Sequence, residues 1–522
     1  MRIYSHMNKG YGGQLIGIEA DLRNGFPGFD IVGLPDGAIR ESRHRIRSAL
    51  RNSGFRFPKE RVLVNLVPAD IPKGGAQLDL AIAVALIVAT TKAYPRMDIP
   101  VMVVGELGLD GTIHPTNGTT AALASAKENG CTGFIHPHAS ELHIQATDIR
   151  CLAVDTLRTA TTAILRYLKE VPPGDLAARP KRKPENDSGS WQDPFDGVVG
   201  LHQVRRAMEI AATGRHNLLL FGPPGAGKTM MANRMKSLAP ILDEKERDEL
   251  AVIYSGVEEF PPPRSAPERL LPHDATVRSL FGNPQSEKPG EATLSHNGIL
   301  LLDELPLYSA KTLDAVKQVS DGCTIISGQT GRQANRYPAK IQLVGTMNPC
   351  PCGGLGQQEA TCVCSLPAIR RYWAKVGTPL LDRFDIRIPV IPEESLELNF
   401  ALNTGLQSSP RVEDTDSQRQ ERINAAAERQ RSFWKSVPDI IRNGEVMKFG
   451  NTGIPAQIEG IVQQVSSMDA CHGRSVRSIL GICTVALTIA NLNGRDYPNT
   501  EELEEAVSYQ RFGLRDIYWR DI

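Results

Sequence analysis

The stretch "HNLLLFGPPGAGKTMMANRM", residues 216–235, decides how the rest of the chain is read. Its apolar run ending in Leu-Phe predicts a buried strand, residues 222–227 a loop, and the residues from Lys228 onward a helix. That order makes a phosphate cradle, because backbone N–H groups of successive loop residues can point inward at a helix N-terminus, where the dipole favours anions. Gly222, Gly225 and Gly227 permit the turn, with Pro223, Pro224 and Ala226 completing the loop. Lys228 is placed to reach the β- and γ-phosphates of ATP, and the Thr229 hydroxyl to fill one coordination position on Mg²⁺.

Composition bounds what surrounds this loop. A chain of 522 residues suggests roughly three domains at about 150 residues each. A hydrophobic content of 41 % and a charged content of 23 % describe an ordinary globular protein. Lys and Arg number 59, as do Asp and Glu, so any contact with nucleic acid has to come from local patches. The N-terminus lacks the apolar segment of a signal peptide, and "LDLAIAVALIVATT" is too short to span a bilayer. A cytoplasmic protein without membrane partners is expected. Nine cysteines in this length do not make a disulfide scaffold.

Residues 171–194, "VPPGDLAARPKRKPENDSGSWQDP", mix Pro, Ser, Gly and charge without an apolar period and read as a linker. Before it, "RVLVNLVPAD" and "IPVMVVGELGL" predict strands, and "DGAIRESRHRIRSALRNSG" and "GTTAALASAKENG" predict helices closed by Gly. After it, "NLLLF", "GILLLDEL" and "AKIQLVGTMN" alternate with helical stretches, the pattern of a parallel sheet. The last part of the chain, from "PAQIEGIVQQVSS" to "EELEEAVSYQR", predicts helices only. The boundaries expected are 1–170, the linker 171–194, an ATPase core 195–395 and a helical lid 396–522.

Hydrolysis needs more than a cradle, and the groups follow in order. "GILLLDEL" delivers Asp303 and Glu304 at the end of a buried strand; Asp303 can hold Mg²⁺ through its water shell and Glu304 can polarise the attacking water. "QLVGTMN" ends in Asn348, a neutral group suited to orienting that water or touching the γ-phosphate. "TPLLDRFD" offers Arg383, which serves either as an arginine supplied to a neighbouring subunit's phosphate or as half of a structural salt bridge.

The strings "VGLPDGAIRESRHRIRSALRNSGFRFP", "NLVPADIPKGG", "HNLLLFGPPGAGKT", "PGEATLSHNGILLLDELP", "MNPCPCG" and "GTPLLDRFD", in this order, resemble the AAA+ ATPases of the magnesium-chelatase-like branch, and within it the YifB/ComM group. The resemblance covers nearly the whole chain. It implies an α/β fold with a Lon-protease-like (ribosomal S5 domain 2-like) first domain, then an AAA+ domain with a parallel sheet and a helical lid. It also implies that Arg383 is an arginine finger acting in trans and that Arg477, in "GRSVRSI", is the sensor 2 arginine of the lid. The activity implied is that of a hexameric ATP-driven DNA helicase in branch migration during natural transformation. A chelatase-like motor acting on a protein partner is the alternative. Where relatives show "QPLEDG" this chain has "QVSDG", residues 318–322, and where they show "SPHH" it has "LLPHD" with His273 and Asp274. The helix-2 insert is therefore expected to differ in shape.

The first domain raises a peptidase reading, which fails on its residues. Aligning "PKGGAQLD" with the Lon nucleophile string puts Gln77 at the serine, and "LDGTIHPTNGTTAA" puts Thr120 at the lysine, so neither half of the dyad is present. Its segment with Arg40, Arg43, Arg45, Arg47 and Arg51 is either a solvated helix face or a nucleic-acid contact. Cys350, Cys352, Cys362 and Cys364 form a C-x-C, nine-residue, C-x-C pattern, with Gly353, Gly354 and Gly356 in between. Four thiolates suit a closed, structural Zn²⁺ site, with reduced thiols or a redox pair as the alternatives. Cys131 and Cys483 read as small core residues. "DGCTIISGQTGRQANRYPAKIQL" reads as a hairpin with Arg332 and Arg336 near its tip, suited to gripping a phosphate backbone.

Overall fold

Strands of a parallel sheet covered by helices are buried on both faces, and the second half of the chain obeys this strand by strand. In the computed structural model, five parallel strands lie in the order Glu268–Leu270, Gly298–Leu302, Ile341–Met347, Leu218–Phe221 and Ile386–Pro389. Every residue of Leu218–Phe221 and Gly298–Leu302 is buried. The sequence predicts the three inner strands. The outer two are short and carry charged residues, "ERL" and "IRIP", so they lack the apolar run that marks the others.

The structure describes residues 2–91, 98–140, 142, 144, 149–170, 194–196, 198, 200–257, 265–283, 288–322, 324–327, 335–355, 362–391, 416–435, 456–468, 471 and 474–510. The expected linker 171–193 with its "RPKRK" cluster, Arg332 of the hairpin and Gly356 lie outside the described residues.

The first half folds around a seven-stranded mixed sheet in the order Gly28–Val32, Arg61–Val67, Gln14–Arg23, Arg2–Met7, Asp98–Val103, Gly133–Pro137 and Arg150–Val154. Helix Asp79–Thr90 packs on the strands Arg2–Met7 and Gln14–Arg23 between helices Gly37–Asn52 and Leu157–Glu170. Its residues 79–88 are all buried, which explains why "LDLAIAVALIVATT" is apolar all round without being a membrane span. Among the described residues no helix is long and apolar enough to cross a membrane. The two halves meet where helix Thr119–Glu128 packs on helix Glu244–Ser255, with the Gly118 N–H donating to the Ser255 carbonyl at 2.7 Å.

Helices Asp416–Lys435, Ala456–Ser467, Val476–Leu492 and Thr500–Ser508 follow the second sheet. Val476–Leu492 begins where the Ser475 side chain accepts the Ser478 N–H, and Thr500–Ser508 begins with a capping box between Asn499 and Glu502. Their apolar faces share one core with helix His202–Gly214 and the strand Leu218–Phe221. Two polar ties fix their placement. His216, buried at the foot of that strand, bonds the Thr488 hydroxyl at 2.7 Å. Glu209, 8 % exposed, takes Arg419 at 2.9 Å and Arg422 at 2.8 Å from helix Asp416–Lys435.

Removing one side of a buried ion-pair set strands the charge left behind, at a cost of about 3–5 kcal/mol. Glu209→Ala is therefore expected to lower the midpoint of thermal unfolding by an amount that corresponds to about 3 kcal/mol or more. An unchanged midpoint would show that helix Asp416–Lys435 is held by apolar packing alone.

Candidate functional site

The register of the parallel strands gathers the chemistry at one edge. Phe221 pairs with Met347 and with Pro389, so Gly222, Asn348 and Val390 emerge side by side. Leu302 pairs with Gly345, which sets Asp303 beside Thr346. Gly222 approaches the neighbouring strand so closely that a Cβ there would lie 2.2 Å from the Val390 carbonyl oxygen. Gly225 and Gly227 take φ values of +79° and +88°, the left-handed region that only glycine enters freely.

Lys228 opens helix Lys228–Ala232 and is 7 % exposed. Its Nζ donates to the carbonyls of Gly222 at 2.8 Å and Pro223 at 2.7 Å, and to Asn348 Oδ1 at 3.0 Å. Burial lowers the ammonium's pKa, while Glu304 and Asp303 oppose that shift. The Thr229 hydroxyl donates to Asp303 Oδ1 at 3.0 Å. These contacts bring the loop, the strand-end carboxylates and Asn348 into one cluster, as the sequence order implies.

One member of the cluster escaped the sequence reading. Thr346, fully buried in the strand Ile341–Met347, donates its hydroxyl to Asp303 Oδ1 at 2.5 Å and accepts the Glu304 N–H at 2.9 Å. That second bond holds Glu304 at φ +46°, a left-handed conformation costly for a side chain with a Cβ. The available signal was a hydroxyl in the otherwise apolar run "QLVGTM". Asn217 also escaped notice. It lies just before the strand, accepts the Leu343 N–H at 2.8 Å through Oδ1, and donates from Nδ2 to the Arg383 carbonyl at 2.7 Å.

Arg383 and Arg477 do not join the Lys228 cluster. Arg383 pairs with Asp321 through both guanidinium edges, with Nε to Oδ1 at 2.9 Å, and Arg477 Nη1 reaches the same Oδ1 at 2.7 Å. Burial works to raise the Asp321 carboxyl, and the two arginines override it and hold the pKa below the usual carboxylate range. The salt bridge that the sequence left as one of two readings is thus present, with the sensor 2 candidate sharing the same acid. Asp321 belongs to "QVSDG", where the chain departs from its relatives' usual string.

The four cysteines converge. Cys350, Cys352, Cys362 and Cys364 place their Sγ atoms within 4.8 Å of one another, and three of the separations are 3.4, 3.6 and 3.7 Å. A tetrahedral ion with metal–sulfur bonds of about 2.3 Å needs sulfurs about 3.8 Å apart. The cluster could therefore hold a zinc ion. It also abuts the phosphate loop, since a Cβ on Gly353 would meet Pro224 Cδ at 2.6 Å. Behind it, Trp373 donates Nε1–H to the Pro349 carbonyl at 2.9 Å and stacks edge-on against Phe221.

The remaining candidates separate. Thr324–Ser327 and Asn335–Pro338 form an antiparallel hairpin, but Arg336 pairs with Ile326 inside the return strand. Of the arginines on helix Gly37–Asn52, Arg45 turns inward to Asp79 at 2.7 Å and Arg47 lies over the Phe57 ring at 4.6 Å, so they do not form a single basic face. Gln77 lies on the short turn Ala76–Leu78, and Thr120 is 2 % exposed at the start of helix Thr119–Glu128. Cys131 and Cys483 are buried, as expected of core residues.

Adding a methyl group where backbone meets backbone cannot be relieved by a rotamer change. Gly222→Ala is expected to cost about 1–3 kcal/mol and to weaken binding of a fluorescent ATP analogue about tenfold. Wild-type affinity in that variant would show that the loop tolerates separation from Val390.

Comparison with known proteins agrees with this geometry. The family described as "Magnesium chelatase, subunit ChlI" matches residues 194–398, and "Subunit ChlI of Mg-chelatase" matches residues 18–140. The chain is 33 % identical to competence protein ComM of Haemophilus influenzae over 517 residues, 97 % of each chain. It is 32 % identical to YifB of Escherichia coli over 501 residues, 95 % of this chain and 94 % of that one. A putative Lon protease homologue of Methanothermobacter thermautotrophicus matches at 34 % over 64 residues, 12 % of each chain. With a phosphate loop, strand-end carboxylates and a polar strand-end asparagine in one cluster, the chain belongs to the YifB/ComM family of magnesium-chelatase-like AAA+ ATPases.

Proposed function

We propose that this protein is an ATP-hydrolysing DNA translocase that works as a homo-hexamer in branch migration of recombining strands. The division of the cationic groups carries the reading: Lys228 is bound into its own phosphate loop, whereas Arg383 and Arg477 are bound together on Asp321. Each active site then needs two subunits, one giving the loop and the other Arg383 as a finger. The relative named competence protein supports DNA as the substrate, and the exposed Arg336 of the hairpin's return strand is compatible with it. In this reading residues 1–170 are a Lon-like module without the catalytic dyad, 195–395 the motor and 396–522 its lid.

The residues divide the work as follows. Lys228 exchanges the carbonyls of Gly222 and Pro223 for phosphoryl oxygens, while the backbone N–H groups of Gly225, Gly227, Lys228 and Thr229 line the cradle. Thr229 and Asp303 would hold Mg²⁺, which when bound would neutralise charge on the phosphate oxygens. Glu304 takes the proton of the attacking water, and Asn348 orients that water. Arg383 exchanges Asp321 for the neighbour's γ-phosphate, and Arg477, sharing the same acid, acts as the sensor 2 arginine of the lid. Cys350, Cys352, Cys362 and Cys364 would hold a structural Zn²⁺ next to Pro224; four protein ligands would leave no open position for catalysis.

The metal assignment predicts one zinc per chain in protein purified without added metal. Stripping it with a chelator, or Cys352→Ser, is expected to lower the unfolding midpoint and weaken nucleotide binding. Metal-free protein with full stability would refute the assignment.

The function is tested by ATP hydrolysis with and without a four-way DNA junction, following junction dissociation in the same tube. Wild type is expected to be stimulated and to separate the arms, with Lys228→Ala inactive. Arg383→Ala is expected to bind ATP normally while turnover falls about 10³-fold or more. Turnover indifferent to every DNA form would overturn the translocase reading in favour of a protein-directed motor.

A further inference from the structure

The seven-stranded sheet ends in the edge strand Gly28–Val32, and helix Gly37–Asn52 follows it closely. A concave site of ≈ 420 Å³ opens here, lined by Asp30, Val32, Leu63 and three arginines, Arg40, Arg43 and Arg61. Three guanidinium groups against one carboxylate give the site a net charge of +2, in a chain whose overall net charge is zero.

The arginines are held in readiness. Arg43 donates Nε–H to the Arg40 carbonyl at 3.0 Å and Nη1–H to the Phe29 carbonyl at 3.4 Å, bonds that fix its guanidinium without cancelling its charge. Arg61 reaches Asp30 at 3.0 Å in a pair whose side chains are 62 % and 42 % exposed. A pair so open to water contributes little and gives way readily to another anion. Arg40 is exposed and has no acidic partner among the described residues. Beside them, Phe26 stands 94 % exposed in the turn leading into the edge strand. A Cβ on Gly28 would meet both the Arg61 side chain at 3.6 Å and the Phe26 carbonyl at 3.9 Å.

Planar donors that pair bidentately with phosphate, next to an unshielded aromatic ring, are what single-stranded nucleic acid uses for its backbone and bases. An acidic peptide adding a strand to the edge is the rival occupant, and Arg43 works against it by already occupying the Phe29 carbonyl. We propose that the groove between Gly28–Val32 and Gly37–Asn52 binds single-stranded nucleic acid, with Arg40, Arg43 and Arg61 on phosphates and Phe26 stacked on a base. The proposal rests on the DNA reading above. It gives the first module the task of holding a displaced strand outside the motor.

The experiment is fluorescence anisotropy of labelled oligothymidylate with the full-length protein, repeated from about 50 to about 200 mM salt. Removing two phosphate contacts in Arg40→Gln/Arg43→Gln is expected to weaken binding about tenfold and to make the slope of log K against log salt shallower by about 1.4. Phe26→Ala is expected to lose about fivefold or more, with an unchanged salt slope. Arg51→Gln, an exposed arginine of the same helix outside the groove, should bind as wild type. Unchanged melting temperatures certify the fold of each variant. If wild type binds and the double variant matches it in affinity and slope, the groove assignment falls while the DNA reading stands. If wild type does not bind, both fall. Displacement by polyglutamate as effective as by DNA, with no effect of Phe26→Ala, would overturn the nucleic-acid assignment in favour of an acidic peptide. Displacement by millimolar inorganic phosphate with no dependence on oligonucleotide length would reduce the site to one for free phosphate.

Discussion

Everything at the active edge depends on one strand, Leu218–Phe221, being clamped in parallel between Ile341–Met347 and Ile386–Pro389. Parallel pairing points all carboxyl ends the same way, so the loop after one strand and the residue after its neighbour must meet. Phe221 opposite Met347 delivers Asn348 to Lys228, and Leu302 opposite Gly345 delivers Asp303 to Thr229 and Thr346. A one-residue slip would turn these side chains to the other face of the sheet and separate the cluster. The buried rows of Leu, Ile and Val are therefore what set the position of the polar groups in this cluster.

A second consequence is that the phosphate loop is packed against on its flank. Trp373 and Phe221 form one wall, Gly353 presses on Pro224, and Cys350 belongs to the same buried core as Phe221 and Trp373. Interiors packed this tightly transmit displacement. Order in the cysteine loop and the shape of the phosphate cradle are thus linked by direct contact. On the far side, Asp321 at the end of helix Ala310–Asp321 gathers Arg383 and Arg477 and ties the sheet's last turn to the helix Val476–Leu492. The same acid closes the helix that precedes the hairpin, so Arg383, Arg477 and the start of the hairpin segment lie close together.

The first half of the chain also reaches the hairpin. The Tyr11 N–H donates to the Arg336 carbonyl at 3.4 Å, and helix Thr119–Glu128 packs on Glu244–Ser255. The first half is thus in contact with both the hairpin strand and a helix of the second half.

Residues whose role is set by local spacing were legible in the chain itself. The glycines at 222, 225 and 227, the Lys-Thr pair, the acids closing an apolar strand and the two C-x-C pairs each act within a short stretch, so their pattern survives as a string. The three inner strands and the all-helical end were legible for the same reason, because buried parallel strands and amphipathic helices each impose their own period. What tertiary structure alone decided were contacts between distant residues. Arg383 and Arg477 meeting on Asp321, Thr346 bracing Asp303 and Glu304, and Gly353 against Pro224 involve partners far apart in the chain. Five arginines on one helix read as either a solvated face or a nucleic-acid contact, and packing assigned Arg45 to a buried acid and Arg47 to an aromatic ring, leaving Arg40 and Arg43 to join Arg61 from the strand Arg61–Val67. A sequence records which groups a segment carries, whereas the direction each side chain takes is settled by the burial of its neighbours, and that is fixed only when the sheet and helices close over one core.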